Sequence, residues 1–220
     1  MTESSMYVYL SYFMDGKTPL YGGSTGILTE PDREISKGDT ANTKKLSLGN
    51  HSGTHIDFPN HFFENGKKSH EYDASFWIFA YPHVVELASN MDDIIMLSDE
   101  LLSTVPLETD FLIIKTGFGI YRNDERYWQN NPGLHPDLAD GIRRRCKGIR
   151  AVGIDIISIT GYQNRPLGRL AHKAFLGENP ILLVEDMDLS LLNSQPAEIY
   201  CFPIMVSELD GAPVTIVAKL

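Results

Sequence analysis

A chain of 220 residues with 42% hydrophobic and 22% charged residues has the composition of an ordinary globular protein, and its length suits one domain over 1–220. The net charge of −10 argues against nucleic acid as a partner, because phosphate binding needs basic surface. Two cysteines, Cys146 and Cys201, are too few for a disulfide framework, and two reduced thiols are expected. No apolar run reaches the length of a membrane span, so no membrane partner is expected. The first residues lack the basic and apolar pattern of a secretory leader, which makes the cytoplasm the expected location.

Taken in chain order, residues 6–12 (MYVYLSY) read as a strand. Residues 15–45 are rich in Gly, Thr, Ser, Pro and charge and read as a long loop or short irregular strands, a length that often accompanies function. Within them Tyr21-Gly22-Gly23-Ser24-Thr25-Gly26 lacks the lysine ending and following helix of a phosphate loop. Residues 82–88 read as a strand, and 97–103 as a short helix with Ser98 as its N-cap. The apolar runs 111–117 and 151–159 read as buried strands. Residues 136–147 open with Pro and Asp and close with basic residues, which is helix polarity. A helix over 165–178 and a strand over 179–187 follow, then a turn or short helix at 188–193. Two last strands, 197–206 and 212–219, flank Asp210-Gly211, which reads as a hairpin turn. Strands outnumber helices, so the class is mixed α/β with a predominantly β core.

The segment at 51–61 carries the chemistry. It holds His51, His55, Asp57 and His61, three imidazoles and a carboxylate in eleven residues. These are among the few side chains that bind transition metals well. All four stand at odd positions, which in extended chain share one face. A helix is disfavoured by Gly53 and Pro59 and by the β-branched Thr54 and Ile56. A straight strand would hold His51 and His55 roughly 13 Å apart, too far for one metal. The chain must therefore bend between them, and Gly53 is where it can. Pro59 is expected to end the strand and turn His61 to a different angle.

Outside this segment, His172 lies in the helix at 165–178 and Glu185 ends an apolar strand. The residue types alone allow two readings: completion of a metal site, or a surface histidine and a strand-end carboxylate. Asp155 in its apolar run reads at least as readily as a structural hydrogen-bonding residue as a catalytic one. His70, His83 and His135 read as structural, with His135 a local cap. Tyr21, Phe62, Phe63, Trp77, Tyr127 and Trp128 could line an aromatic pocket, although aromatic residues mostly pack.

With these pieces in place, the chain resembles the cyclase superfamily that includes bacterial kynurenine formamidase. The shared pattern is H-x-G-T-H-x-D-x-P-x-H, present here without a gap at 51–61. LIIKTGF at 112–118, the YW and PGL pieces at 127–134, VGID at 152–155 and the His172 to Glu185 segment follow in the family's order. The resemblance implies a swivelling β/β/α fold and a metal-dependent hydrolase. It implies that His51, His55 and Asp57 ligate one metal, while Asp57 also reaches a second that His172 and Glu185 complete. Glu185 would bridge the two, and His61 matches the position of the proton donor/acceptor. Zinc is the first expectation and manganese the alternative, with one or two ions per chain. Family formamidases carry a Trp-Pro-Gly-Asp stretch whose Trp contacts substrate; here Tyr21-Gly22-Gly23-Ser24 stands instead, which makes Tyr21 the substrate-contacting aromatic.

The expected function is metal-dependent hydrolysis of a carbon–nitrogen bond in a small aryl amide, in the manner of an arylformamidase. An isatin- or lactone-type ring hydrolase on the same site is the enzyme alternative, and a non-catalytic metal-binding protein the other. The expected partners are a small-molecule substrate and further copies of the chain, as a homodimer or homotetramer.

Overall fold

The structure is a computed structural model that describes residues 6–23 and 26–220. Ser24 and Thr25, in the middle of the glycine-rich stretch, lie outside the described residues. In chain order the strands are β1 (Tyr7–Tyr9), β2 (Leu28–Arg33), β3 (Thr43–Ser47), β4 (His55–Asp57), β5 (Ile78–Phe79), β6 (Pro82–Glu86) and β7 (Ile94–Ile95). They continue with β8 (Phe111–Lys115), β9 (Gly133–Leu134), β10 (Ala151–Ile154), β11 (Leu182–Glu185), β12 (Glu198–Pro203) and β13 (Gly211–Lys219). The helices are α1 (Asp99–Thr104), α2 (Arg126–Gln129), α3 (Asp137–Arg145) and α4 (Arg165–Leu176).

Among the described residues, nine strands make one mixed sheet in the order β5-β12-β13-β4-β11-β10-β8-β6, with β1 also on β13. β6, β8, β10 and β11 run parallel. Parallel strands are covered on both faces, which explains why Phe111–Ile114 and Ala151–Ile154 are apolar without alternation and fully buried. From β11 through β4, β13 and β12 to β5 the pairing is antiparallel. Only Ala80 and Tyr81 join β5 to β6 at the two ends of this order, so the sheet curls until it is nearly closed. α4 crosses from β10 to β11 and buries Ala171, His172, Phe175 and Leu176 along one face. His172 is thereby carried on the inner side of its helix.

Most expected elements are present with shifted ends. Ser98 caps α1, its hydroxyl accepting from the Leu101 amide at 3.1 Å. His135 Nδ1 accepts from the Asp137 amide at the start of α3. The 15–45 region holds the exposed hairpin β2–β3 except for its last two residues, Leu46 and Ser47. Both cysteines are free and buried.

Two expectations need correction. The run 151–159 leaves the sheet after Ile154, because the Asp155 carboxylate takes over the local donors. It accepts from Thr116 N (2.8 Å), Thr116 Oγ1 (2.6 Å) and Gly117 N (2.8 Å), tying the end of β10 to the end of β8. The last hairpin is not a two-residue turn at Asp210-Gly211 either. Pro203 pairs with Val214 and Gly211 already lies in β13, so residues 204–210 form the connection.

Asp155 thus has a structural role. Asp155→Ala is expected to leave two buried donors of Thr116 and the more exposed Gly117 amide unmet and to cost about 2–4 kcal/mol of unfolding free energy. Urea denaturation measures this; a loss well under 1 kcal/mol would show that the carboxylate does not hold the strand ends.

Candidate metal centre

The site forms where β4 meets β11. Their register sets His55 opposite Glu185 and Asp57 opposite Leu183. His55 and Asp57, two residues apart, share a face, and the cross-strand neighbour Glu185 joins them there. The chain bends at Gly53, whose φ of 61° is left-handed. A Cβ at Gly53 would also stand 2.9 Å from Met14 Cγ. The bend returns His51 to within 5.2 Å of the His55 ring, centroid to centroid. Pro59–His61 forms a 3-10 turn that lifts His61 over the site, its ring 4.1 Å from His51 and 6.0 Å from His172.

His51 Nδ1 lies 2.8 Å from Asp57 Oδ1, and His55 Nε2 lies 3.5 Å from the same oxygen. On the other side, His172 Nε2 is 3.4 Å from Asp57 Oδ2 and 3.5 Å from Glu185 Oε1. The ligand atoms of His51, His55 and Asp57 fall within 4.8 Å of one another, as do those of Asp57, His172 and Glu185. The remaining ring nitrogens are occupied. His55 Nδ1–H donates to the Gly53 carbonyl at 2.8 Å, and His172 Nδ1–H to the Gly168 carbonyl at 3.0 Å. Such second bonds fix the tautomer and leave Nε2 free for a cation. Glu185 is held in turn by the Ile159 amide (2.7 Å) and Ser158 Oγ (3.1 Å).

This donor set, nitrogen and carboxylate oxygen around two adjacent points, fits a divalent transition metal. The charge balance agrees. Asp57 is 1% exposed and Glu185 3% exposed. Buried carboxylates need positive charge beside them, and in the metal-free protein imidazolium supplies it. Burial opposes protonation of His51 and His172. Hydrogen bonds and the charges of Asp210 and Asp57 outweigh it for His51, and those of Asp57 and Glu185 for His172, raising both pKa values to about 10. Asp57, despite its burial, is held well below the ordinary carboxylate range by His172, His51 and His55.

Asp210 carries no site signal in the sequence, where it reads as part of a turn. Its Oδ2 accepts from His61 Nδ1 at 2.8 Å and from His51 Nε2 at 3.1 Å, while Asn50 Nδ2 holds Oδ1 at 2.6 Å. Its carboxyl pKa is lowered, first by the His51 hydrogen bond and against partial burial. One carboxylate therefore orients both the first histidine of the segment and the last. His51, His61 and Asp210 also lie within 4.8 Å of one another at their ligand atoms, a third and more open grouping. Gly211 makes the approach possible, because a Cβ there would stand 2.8 Å from His51 Nε2 and closer still to Cε1. The sequence signal was only an Asp-Gly pair, which reads as a turn.

These groups open into a cavity of about 390 Å³. Tyr21 and Phe62 line it, and the Phe62 ring stacks on His172 at 4.7 Å. Of the other aromatic candidates, Trp77 and Tyr127 are buried in the core, while Trp128 and Phe63 line separate clefts. His70 and His83 are away from the cavity.

Comparison with known proteins matches residues 8–160 to the model of the Cyclase family, and the chain belongs to that family. A kynurenine formamidase of Bacillus thuringiensis subsp. konkukian (strain 97-27) is 27% identical over 218 residues, covering 99% of each chain. One from Bacillus anthracis is 26% identical over the same span. Among solved structures, isatin hydrolase A from Labrenzia aggregata superposes with a TM-score of 0.82 at 19% identity, covering 98% of this chain and 94% of the other. The fold is that of these proteins.

The raised pKa values set a pH dependence. A histidine whose folded pKa lies above its unfolded 6.5 stabilises the metal-free fold fully below pH 6.5, and that contribution is lost as the pH rises through about 10. The chelator-treated protein is therefore expected to melt at falling temperatures between about pH 7 and 10. Metal loading should release protons and remove this trend. Scanning fluorimetry of both forms across the range measures it. A metal-free melting temperature that stays flat or rises would overturn the charge balance described above.

Proposed function

We propose that the protein is a metal-dependent hydrolase that cleaves the carbon–nitrogen bond of a small aryl amide. The observation that carries this reading is a buried carboxylate pair, Asp57 and Glu185, ringed by His51, His55 and His172 at the floor of a cavity. The similarity to kynurenine formamidases supports the amide class. Divalent metal held by His51, His55 and Asp57, and by Asp57, His172 and Glu185, would polarise the carbonyl and lower the pKa of water towards neutrality, with zinc the first choice and manganese the second.

The protein's own groups manage position and protons. In hydrolysis the water oxygen joins the carbonyl carbon, the carbon–nitrogen bond breaks, and the nitrogen leaves with an added proton. An amine is a poor leaving group as an anion, so a proton donor is needed at that atom. His61 stands at the cavity wall for this task. Asp210 holds its Nδ1–H, which leaves Nε2 as the nitrogen that carries the proton across. Tyr21 and Phe62 form apolar walls suited to an aryl group.

Variants separate these roles. His55→Ala is expected to lose bound metal and all turnover. His61→Ala should keep most of its metal while losing turnover by roughly 10²–10⁴-fold, the usual share of a general acid. Elemental analysis beside hydrolysis of formylkynurenine, formanilide, isatin and simple lactones provides the measurement. Equal metal loss in both variants would make His61 a ligand. A metal-loaded wild type that hydrolyses none of these compounds would sink the hydrolase reading. Tyr21→Ala should raise KM for an aryl amide without changing metal content; an unchanged KM would remove Tyr21 from the substrate site.

A further inference from the structure

The cavity holds two cationic side chains that the hydrolytic chemistry leaves unused. Arg165 and Arg169 line it together with His61, His172 and Glu185. They stand one turn apart on α4, at the end where the helix begins.

This placement runs against three local preferences. Cations near a helix N-terminus oppose the macrodipole, and the first turn of α4 carries no acidic residue to compensate. Like charges at i and i+4 repel. Finally, among the described residues neither guanidinium has a carboxylate partner, whereas Arg122, Arg126, Arg143 and Arg150 each have one. Arg165 rests on an aromatic face instead, its guanidinium carbon 4.1 Å from the centre of the Tyr162 ring. Residues that break local rules without local compensation mark sites where something else is accommodated.

Two more observations bear on what that is. The Tyr21 hydroxyl lies buried in the same cavity, and among the described residues its proton meets no acceptor. Burial raises its pKa, and the charge of the adjacent Arg165 and its hydrogen bond to the Tyr21 oxygen oppose the rise. In addition, every acidic residue lining the cavity is committed. Asp57 and Glu185 face the imidazoles, and Asp186 is held by Arg122 (2.7 and 2.8 Å) and Tyr127 Oη (2.6 Å). Among the described residues none remains to receive an ammonium group. On a chain of net charge −10, the mouth of this cavity is a local cationic exception that would draw in an anion.

The geometry points to Arg165, Arg169 and the Tyr21 hydroxyl as a subsite for an anionic group on the non-reacting end of the substrate. The favoured substrate is then a net-anionic aryl amide, a carboxylate-bearing one above all, in preference to a neutral or zwitterionic amide. This inference rests on the hydrolase reading for the place of the amide, but the anion subsite can be read by binding alone.

The test uses metal-loaded wild type, Arg165→Gln, Arg169→Gln, the double variant and the paired lysine variant. Turnover is compared for formanilide, its ortho-, meta- and para-carboxylates, and formylkynurenine. The wild type should favour one of the carboxylates in kcat/KM over both formanilide and formylkynurenine. Each glutamine change should cut that preference roughly tenfold, the scale of one charge-assisted hydrogen bond. The lysine pair should keep part of it. A preference unchanged in the folded, metal-loaded double variant overturns the proposal, as does a wild type that favours the neutral or zwitterionic amide. If the wild type turns over none of them, the hydrolase reading fails and the subsite is judged by titrating fluorescent aminobenzoates. There, Kd weakened about tenfold in the double variant supports it and an unchanged Kd overturns it. Should the glutamine variants lose their native circular dichroism, the wild type decides: its carboxylate preference must fall as ionic strength rises, and a salt-independent preference overturns the proposal.

Discussion

The centre of this molecule is organised by a charge that has nowhere to go. The Asp57 carboxylate sits on the short strand β4, between β13 and β11, and is 1% exposed. An ionised group at that depth is costly unless cations or strong donors surround it. His51, His55 and His172 do so from three directions. Each arrives by a different route: His55 along the same strand face, His51 through the bend at Gly53, and His172 from the inner side of α4. The glycine at 211, the crossover of α4 and the register of β4 against β11 are all conditions for meeting that one carboxylate.

The support beneath the site is itself strained. Asp186 follows Glu185 and adopts a φ of 52°, unfavourable for a residue with a side chain. It is held there by the Arg122 fork, by Tyr127, and by Thr54 Oγ1, which donates to its carbonyl at 2.5 Å. Burial pushes the Asp186 pKa up, while Arg122 and Tyr127 draw it back. The turn aims Glu185 at the site and ends β11 there. Thr54 lies next to His55, so the same contact that holds Asp186 in place also anchors the strand of ligand-type residues.

What could be read from the amino-acid order follows the range of the interactions involved. Period-two alternation is a local rule, and it places His55 and Asp57 on one face. Backbone restrictions are local too, and they locate the bend at Gly53 and the turn at Pro59. Buried parallel strands announce themselves as unbroken apolar runs, as at Phe111–Ile114. Asp210 obeys no local rule: it reaches His61 across 149 residues, and its neighbour Gly211 imitates a turn. The end of β10 depends on distance in the same way, since Asp155 stops the strand by binding amides just past the end of β8, 39 and 38 residues earlier. Nor does the order of residues mark Arg165 and Arg169, because a helix signal describes spacing and does not say which cavity the helix borders.

The position of β13 has a consequence for how the protein is made. Its first residues pair with β4 and its later ones with β1 and β12, so it occupies the middle of the sheet although it follows every other element in the chain. His51 precedes Asp210 by 159 residues. At a synthesis rate of about 5–20 residues per second, the histidine-rich segment waits roughly 8–30 s before its last neighbours exist. During that interval β4 lacks one of its two flanking strands and Asp57 lacks its finished surroundings. The finished surroundings of this histidine cluster are therefore a late product of folding: Asp210 and Gly211 reach His51 only after β13 has emerged, and until then the growing chain holds its ligand-type side chains open to whatever the surrounding solution contains.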